Sequence, residues 1–226
     1  MTFAAAIFDM DGLLVDSERT IMNTWIDVAH AHGVALSSAD YLQIVGRSYA
    51  EGQVILARLI GREDTFRAVS ARVREQLAAP LPHPKFPLKR GAHALLAALA
   101  QAGVPCAVAS SSARDVIRAR LDAVGVLDRF AAIAGGDEVE RGKPDPAVYR
   151  LAAERLGVPA SACIALEDSD FGALAAVRAG ASVVTVPDLK APTPDIVALS
   201  LCVLDSLDDA LAHVPAWFGA RDARTA

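Results

Sequence analysis

The run Phe3-Ala4-Ala5-Ala6-Ile7-Phe8 is apolar at every position and ends in Asp9-Met10-Asp11-Gly12. An unbroken apolar run of this length, rather than an alternating one, is the pattern of a strand covered on both faces, as in the middle of a parallel sheet. In open parallel sheets the reactive groups gather at the carboxyl ends of the strands. Asp9 and Asp11 fall at that end, and the turn that follows keeps the two carboxylates near one small reactive centre.

An Asp-x-Asp pair alone also decorates ordinary turns. Later segments repeat the arrangement, however. The apolar stretch 104–109 runs into Ser110-Ser111-Ser112, and Cys163-Ile164-Ala165-Leu166 runs into Glu167 and Asp168. Between them, Gly142-Lys143-Pro144-Asp145-Pro146 offers a lysine in a loop stiffened by two prolines. A carboxylate able to act as a nucleophile, a hydroxyl, a cation and an acidic pair, each at a strand end or in a loop, together call for a phosphate group.

These segments resemble the four signature motifs of the haloacid dehalogenase-like (HAD) superfamily, in its sugar-phosphate phosphatase and beta-phosphoglucomutase-like branch. The motifs are Asp9-Met10-Asp11-Gly12-Leu13-Leu14-Val15-Asp16-Ser17-Glu18, Val108-Ala109-Ser110-Ser111-Ser112, Gly142-Lys143-Pro144 and Leu166-Glu167-Asp168-Ser169. Order and spacing match over nearly the whole chain.

Short apolar runs alternating with helical patterns predict an α/β fold, a doubly wound parallel sheet of five or six strands in a Rossmann-like core. Helices are expected over 92–102, over 112–124 with Ser112 and Asp115 as a capping box, over 146–156 behind Asp145, and over 171–179. Strands are expected over 183–186 and 201–204, and 216–226 reads as a loosely held tail. Residues 16–85 break the rhythm with helical periodicity alone: Ile21, Trp25, Val28 and Ala29 share one face, and Val54, Ile55, Leu59 and Ile60 another. The chain is therefore expected to divide into a core of 1–15 and 86–226 and an inserted α-helical domain of 16–85, ending in a proline-rich linker, Pro80-Leu81-Pro82-His83-Pro84. The resemblance implies that the insert is a mobile cap that closes over the active site and chooses the substrate.

The formal charge of −5 arises outside the insert, because 16–85 carries eight basic and eight acidic residues. No basic stripe or aromatic ladder points to nucleic acid. Cys106, Cys163 and Cys202 sit in apolar stretches and lack metal-ligand spacing, as do the five histidines. The apolar start lacks a basic leader and is interrupted by Asp9, so neither signal peptide nor membrane span is expected. A monomer in a reducing cytoplasm fits these features.

The resemblance assigns roles. Asp9 attacks phosphorus and forms an aspartyl-phosphate. Mg²⁺ is held by the Asp9 side chain, the Asp11 backbone carbonyl and Asp168, with Glu167 in or beside its coordination. Asp11 protonates the leaving group and then activates water. Ser110 and Lys143 stabilise the transferring phosphoryl group. Gly12 and Ser111 contribute through their backbone, and Arg47, Ser48 and Tyr49 form a polar patch toward the substrate.

The expected function is a Mg²⁺-dependent phosphatase of a small phosphomonoester such as a sugar phosphate. Beta-phosphoglucomutases share the motifs, but Ile21 stands where they carry a histidine. Tyr49 and Gly52 likewise occupy the Arg and second Ser places of their Gly-x-Ser-Arg-x-x-Ser segment. Dehalogenase chemistry lacks a use for Asp11, and a non-catalytic phosphometabolite-binding protein would leave the intact motifs without a purpose.

Overall fold

The computed structural model describes residues 2–45, 49–78 and 86–219. It places Ala5–Phe8 (β1), Cys106–Ala109 (β2), Ala132–Ala134 (β3), Cys163–Glu167 (β4), Ser182–Thr185 (β5) and Cys202–Val203 (β6) in one sheet. The order is β3-β2-β1-β4-β5-β6 and every neighbouring pair is parallel. Both β2 and β4 flank β1, so the direction of winding reverses between β1 and β4. That reversal opens a crevice at the carboxyl ends of those two strands.

Alternate side chains of each strand enter different cores, as the two-residue period of a strand requires. Phe8, Val108, Ile164 and Leu166 join one cluster with Leu95, Leu96, Leu99 and Leu121. Ile7, Ala107, Ala109 and Ala165 join the other, against Tyr149, Ala152 and Ala153. The second face is built mostly of alanine, which lets a helix approach closely and brings the large Tyr149 ring against the sheet.

The chain divides into two units, Met1–Asp16 with Phe86–Ala226, and Ser17–Lys85. In the sheet unit the helices are Ala92–Gln101, Arg114–Ala123, Ala147–Arg155, Asp170–Ala179, Pro194–Leu199, Leu207–Ala210 and Val214–Phe218. The segments beside the helical insert pair with each other inside this unit. Lys89 N donates to the Leu14 carbonyl at 2.8 Å and Asp16 N to the Pro87 carbonyl at 2.8 Å.

Two sequence expectations fail here. Ser112 and Asp115 form no capping box: the helix begins at Arg114 behind Ala113, which makes no side-chain cap. Residues 216–219 are not a loose tail, because Trp217 and Phe218 are buried and the Trp217 carbonyl accepts from Phe3 N at 2.7 Å. A terminal position says little when two aromatic side chains can close the edge of a core. Residues 220–226 lie outside the described residues.

The insert comprises helices Ser17–Ala31, Ser38–Tyr41, Tyr49–Ile60 and Glu63–Ala78. Trp25 stacks on Phe66 with ring centroids 6.4 Å apart. The apolar faces keep Trp25, Val28, Ala29 and Ile60 as expected and differ at single positions. Met22, not Ile21, is buried with Trp25, Val28 and Ala29, and on the third helix Leu56 and Ile60 are buried while Val54 is 71% exposed. Ile21, Trp25, Tyr41, Leu56 and Val73 line a cleft of ≈ 330 Å³ within this unit. The proline-rich linker, Arg47 and Ser48 lie outside the described residues, and of Tyr49 only the backbone, which starts a helix, is described.

Candidate active site

Asp9 follows β1, Ser110 follows β2 and Glu167 ends β4, so three strands deliver three motif residues to the same end of the sheet. All three are buried. Asp9 continues the ladder through its N–H, which donates to the Leu166 carbonyl at 3.0 Å. The chain then turns at Gly12, whose φ of 90° is a conformation that favours glycine. The Gly12 N–H donates to the Val15 carbonyl at 2.9 Å, closing that turn.

Lys143 reaches the same point from the loop before the helix Ala147–Arg155. Its Nζ donates to Asp9 Oδ1 at 2.5 Å and to Glu167 Oε1 at 2.6 Å, and its side chain is 8% exposed. Asp145 shapes this loop, accepting from Ala147 N at 3.0 Å as a cap in place of Pro146. Glu138 holds the preceding turn. It accepts from Gly135 N at 2.9 Å and from both Nη atoms of Arg155 at 2.8 and 2.9 Å.

Glu167 is saturated with donors. Oε1 accepts from Lys143 and from the Tyr149 hydroxyl at 2.8 Å; Oε2 accepts from Asp168 N, Ser169 N and Ser169 Oγ at 3.0 to 3.1 Å. Gly172 makes room for this carboxylate, since a Cβ there would lie 1.7 Å from Oε1. Ser169 in turn caps the helix Asp170–Ala179 by accepting from Gly172 N.

The electrostatics follow from one buried ammonium facing two buried carboxylates. Burial and the nearby Glu167 outweigh Lys143 and push Asp9 up to about 8. Burial also opposes ionisation of Glu167, but Lys143 and the other donors hold it below the usual carboxylate range. Lys143, despite burial, is held above its ordinary value by Asp9 and Glu167. Burial, then Glu167, raises the Tyr149 phenol well above its usual value, so it stays a donor. The cluster is short of positive charge, and the deficit falls on Asp9.

Asp9, Glu167 and Asp168 each present a carboxylate oxygen, and the three atoms lie within 4.8 Å of one another. Hard oxygen donors at this spacing suit a divalent cation such as Mg²⁺, which would also supply the missing charge. The residues therefore fit a metal.

Ser110 accepts from Ser112 N at 3.1 Å, and Ser111 is exposed, its carbonyl against Gly136. Asp11 lies in the same unit. Ser112 Oγ donates to its Oδ2 at 2.9 Å, and Arg120 is ion-paired with its Oδ1. Sequence reading therefore missed Tyr149, Ser112, Arg120 and Gly172. Of these only Ser112 carries a signal, as the last residue of the second motif, and the capping-box reading assigns it to a helix start instead.

Comparison with known proteins supports the family resemblance. The family model described as haloacid dehalogenase-like hydrolase matches residues 3–180. Validoxylamine A 7'-phosphate phosphatase of Streptomyces hygroscopicus subsp. limoneus is 34% identical over 179 residues, 79% of this chain and 83% of that protein. Hexitol phosphatase A of Escherichia coli (strain K12) is 31% identical over 204 residues, 89% of this chain and 90% of its own. The crystal structure of a HAD family hydrolase from Deinococcus radiodurans R1, with bound phosphate and sodium, superposes with a TM-score of 0.79 at 28% identity, covering 95% and 96% of the two chains.

Proposed function

Because this chain belongs to the haloacid dehalogenase-like hydrolases, we propose that it is a Mg²⁺-dependent phosphatase of a small phosphomonoester, a sugar or sugar-alcohol phosphate, acting through an aspartyl-phosphate on Asp9. The observation that carries the reading is the buried Lys143 shared by Asp9 and Glu167, with Asp168 close enough to complete an oxygen-ligand set.

Asp9 and Asp168, with the Asp11 backbone carbonyl, would hold Mg²⁺; when bound, the ion neutralises charge between nucleophile and phosphate and holds the phosphoryl group for in-line displacement. Glu167, its oxygens already filled, holds Lys143 in place. Lys143 faces the charge on Asp9 and on the transferring phosphoryl oxygens, and buried donors of this kind act strongly because water is excluded. Ser110 adds a hydroxyl donor. Asp11 delivers a proton to the leaving oxygen and later takes one from water. Gly12 and Ser111 shape the backbone around the phosphate, and the helical insert serves as the cap domain that selects the substrate. By their names the two relatives act on validoxylamine A 7'-phosphate and on a hexitol phosphate, which supports a sugar or sugar-alcohol phosphate as substrate.

The chain is expected to work as a monomer on this small molecule, in the cytoplasm and without nucleic acid; none of its described helices is long and apolar enough to cross a membrane. A phosphate-release screen over sugar, sugar-alcohol, nucleotide and glycolate phosphates tests the reading. Release that requires Mg²⁺ and disappears with EDTA supports it; no release from any monoester at high enzyme concentration rejects it. Conversion of beta-glucose 1-phosphate to the 6-phosphate with a bisphosphate primer would instead identify a mutase.

A further inference from the structure

The carboxylate of Asp11 is held by residues outside the first motif. Arg120, on the helix Arg114–Ala123, forms an ion pair with Oδ1 through Nη1, while Ser112 donates to Oδ2 at 2.9 Å. Arg120 is itself restrained. Its guanidinium carbon lies 4.7 Å from the centroid of the Phe86 ring, and its side chain is 24% exposed. The helix therefore presents a cation sandwiched between an aromatic face and the carboxylate, 109 residues away in sequence.

Resting on the reading of Asp11 as acid and base, we propose that Arg120 is a positioning residue that gives the two oxygens of Asp11 different work, anchoring Oδ1 and leaving Oδ2 to move the proton. A guanidinium has donors and no acceptor, so the oxygen facing it cannot carry a proton toward it. A serine hydroxyl is both donor and acceptor and rotates about its C–O bond, so Ser112 can donate to Oδ2 or accept from it. The aromatic contact keeps the guanidinium from swinging out, which fixes the plane of the carboxylate. Catalytic geometry is sensitive to displacements of about 1 Å, so a fixed plane has kinetic weight.

The proton count closes over one cycle. In the first displacement an Asp9 carboxylate oxygen bonds to phosphorus while the bond from phosphorus to the leaving oxygen breaks. The electron pair stays on that oxygen, which takes the proton from Asp11 Oδ2. In the second, a water oxygen bonds to phosphorus, the Asp9–phosphorus bond breaks, and the water proton returns to Oδ2. Ser112 is displaced from Oδ2 in both steps, whereas Arg120 stays on Oδ1.

The test is a leaving-group series. kcat/KM for Mg²⁺-dependent hydrolysis is measured on nitrophenyl phosphate, whose leaving group needs no proton, and on alkyl and sugar phosphates, whose leaving groups do. Arg120→Leu is expected to lower kcat/KM on the alkyl and sugar phosphates about 100-fold and on nitrophenyl phosphate by less than about threefold. Arg120→Lys should recover part of the alkyl activity, and the circular dichroism spectrum reports that each variant is folded. In an Asp11→Asn background, Arg120→Leu should have no further effect, as expected if Arg120 acts only through Asp11. Equal losses on all substrates, no loss on any, or a full effect of Arg120→Leu in the Asp11→Asn background would overturn the proposal. Wild-type protein inert on every phosphomonoester would reject the phosphatase reading itself, a result distinct from all of these.

Discussion

The lysine cluster of the sheet unit and the cleft of the helical unit are built from opposite materials. The first buries charge: Lys143, Asp9, Glu167 and the Tyr149 hydroxyl are tied to one another at 2.5 to 2.8 Å. The second is lined largely by apolar and aromatic groups, Ile21, Trp25, Tyr41, Leu56 and Val73 among them. Buried charge demands a specific partner for every oxygen, because an unmatched ion in a low-dielectric interior is costly. Apolar packing asks only for volume and shape, which many side chains can supply. The first region should therefore tolerate almost no substitution, and the second should tolerate substitution in proportion to burial.

The largest effect should come from Asp9→Asn. Loss of the attacking oxygen is expected to lower kcat about 10⁴-fold or more, with the circular dichroism spectrum unchanged. Next is Lys143→Met, which leaves Asp9 and Glu167 facing each other without a cation. Urea unfolding without Mg²⁺ should show a loss of about 3–5 kcal/mol, the range for removing one partner of a buried pair, and activity should be lost as well. A loss below 1 kcal/mol would mean that the cluster does not bury charge in this way.

The helical unit offers the matched contrast. Leu56→Ala is expected to cost about 2–5 kcal/mol, whereas Val54→Ala, two residues earlier on the same helix and largely exposed, should stay within about 0.5 kcal/mol. A larger loss at Val54 than at Leu56 would show that the helix faces the other way. Gly172→Ala comes next. Its added methyl meets the Glu167 carboxylate, and a stability loss of about 1–3 kcal/mol with reduced kcat is expected, because moving Glu167 moves Lys143.

The smallest effect contrasts ion pairs. Arg155 and the Gly135 N–H hold Glu138 down at about 2, against burial. The stabilisation is then fully present above the unfolded carboxyl value and fades as pH falls from about 4.5 toward 2. Glu138→Gln should cost about 1 kcal/mol at neutral pH, a figure already reduced for partial exposure, and the difference should vanish near pH 2. Glu63→Gln, which removes an ion pair to Arg67 whose side chains are more than 70% exposed, should be indistinguishable from wild type.

The sheet and its strand-end residues were legible because each motif sits where an apolar run stops, and that boundary is local in sequence. Even β3, three residues long, was covered only by the allowance for a sixth strand, since so short a run has no period to read. What escaped was long-range. Tyr149 looks like an ordinary helical aromatic until β4 brings Glu167 beside it. Ser112 and Asp115 carry the local signature of a cap, but the Ser112 hydroxyl is claimed by Asp11, 101 residues earlier. Val54 and Leu56 fit a helix equally well, and only packing decides which is buried. Nothing local marks Arg120, whose partners Asp11 and Phe86 come from two distant segments of the chain.

The central claim, that Asp9 carries the phosphoryl group during turnover, is tested most directly by chemical trapping. Wild-type protein turning over a phosphomonoester with Mg²⁺ is quenched with borohydride, which reduces an acyl-phosphate to an alcohol, and the peptide containing Asp9 is sequenced by mass spectrometry. The account predicts homoserine at Asp9, dependent on substrate and Mg²⁺ and absent in EDTA. Phosphate release under the same conditions with residue 9 unmodified, or with another residue reduced in its place, would contradict it.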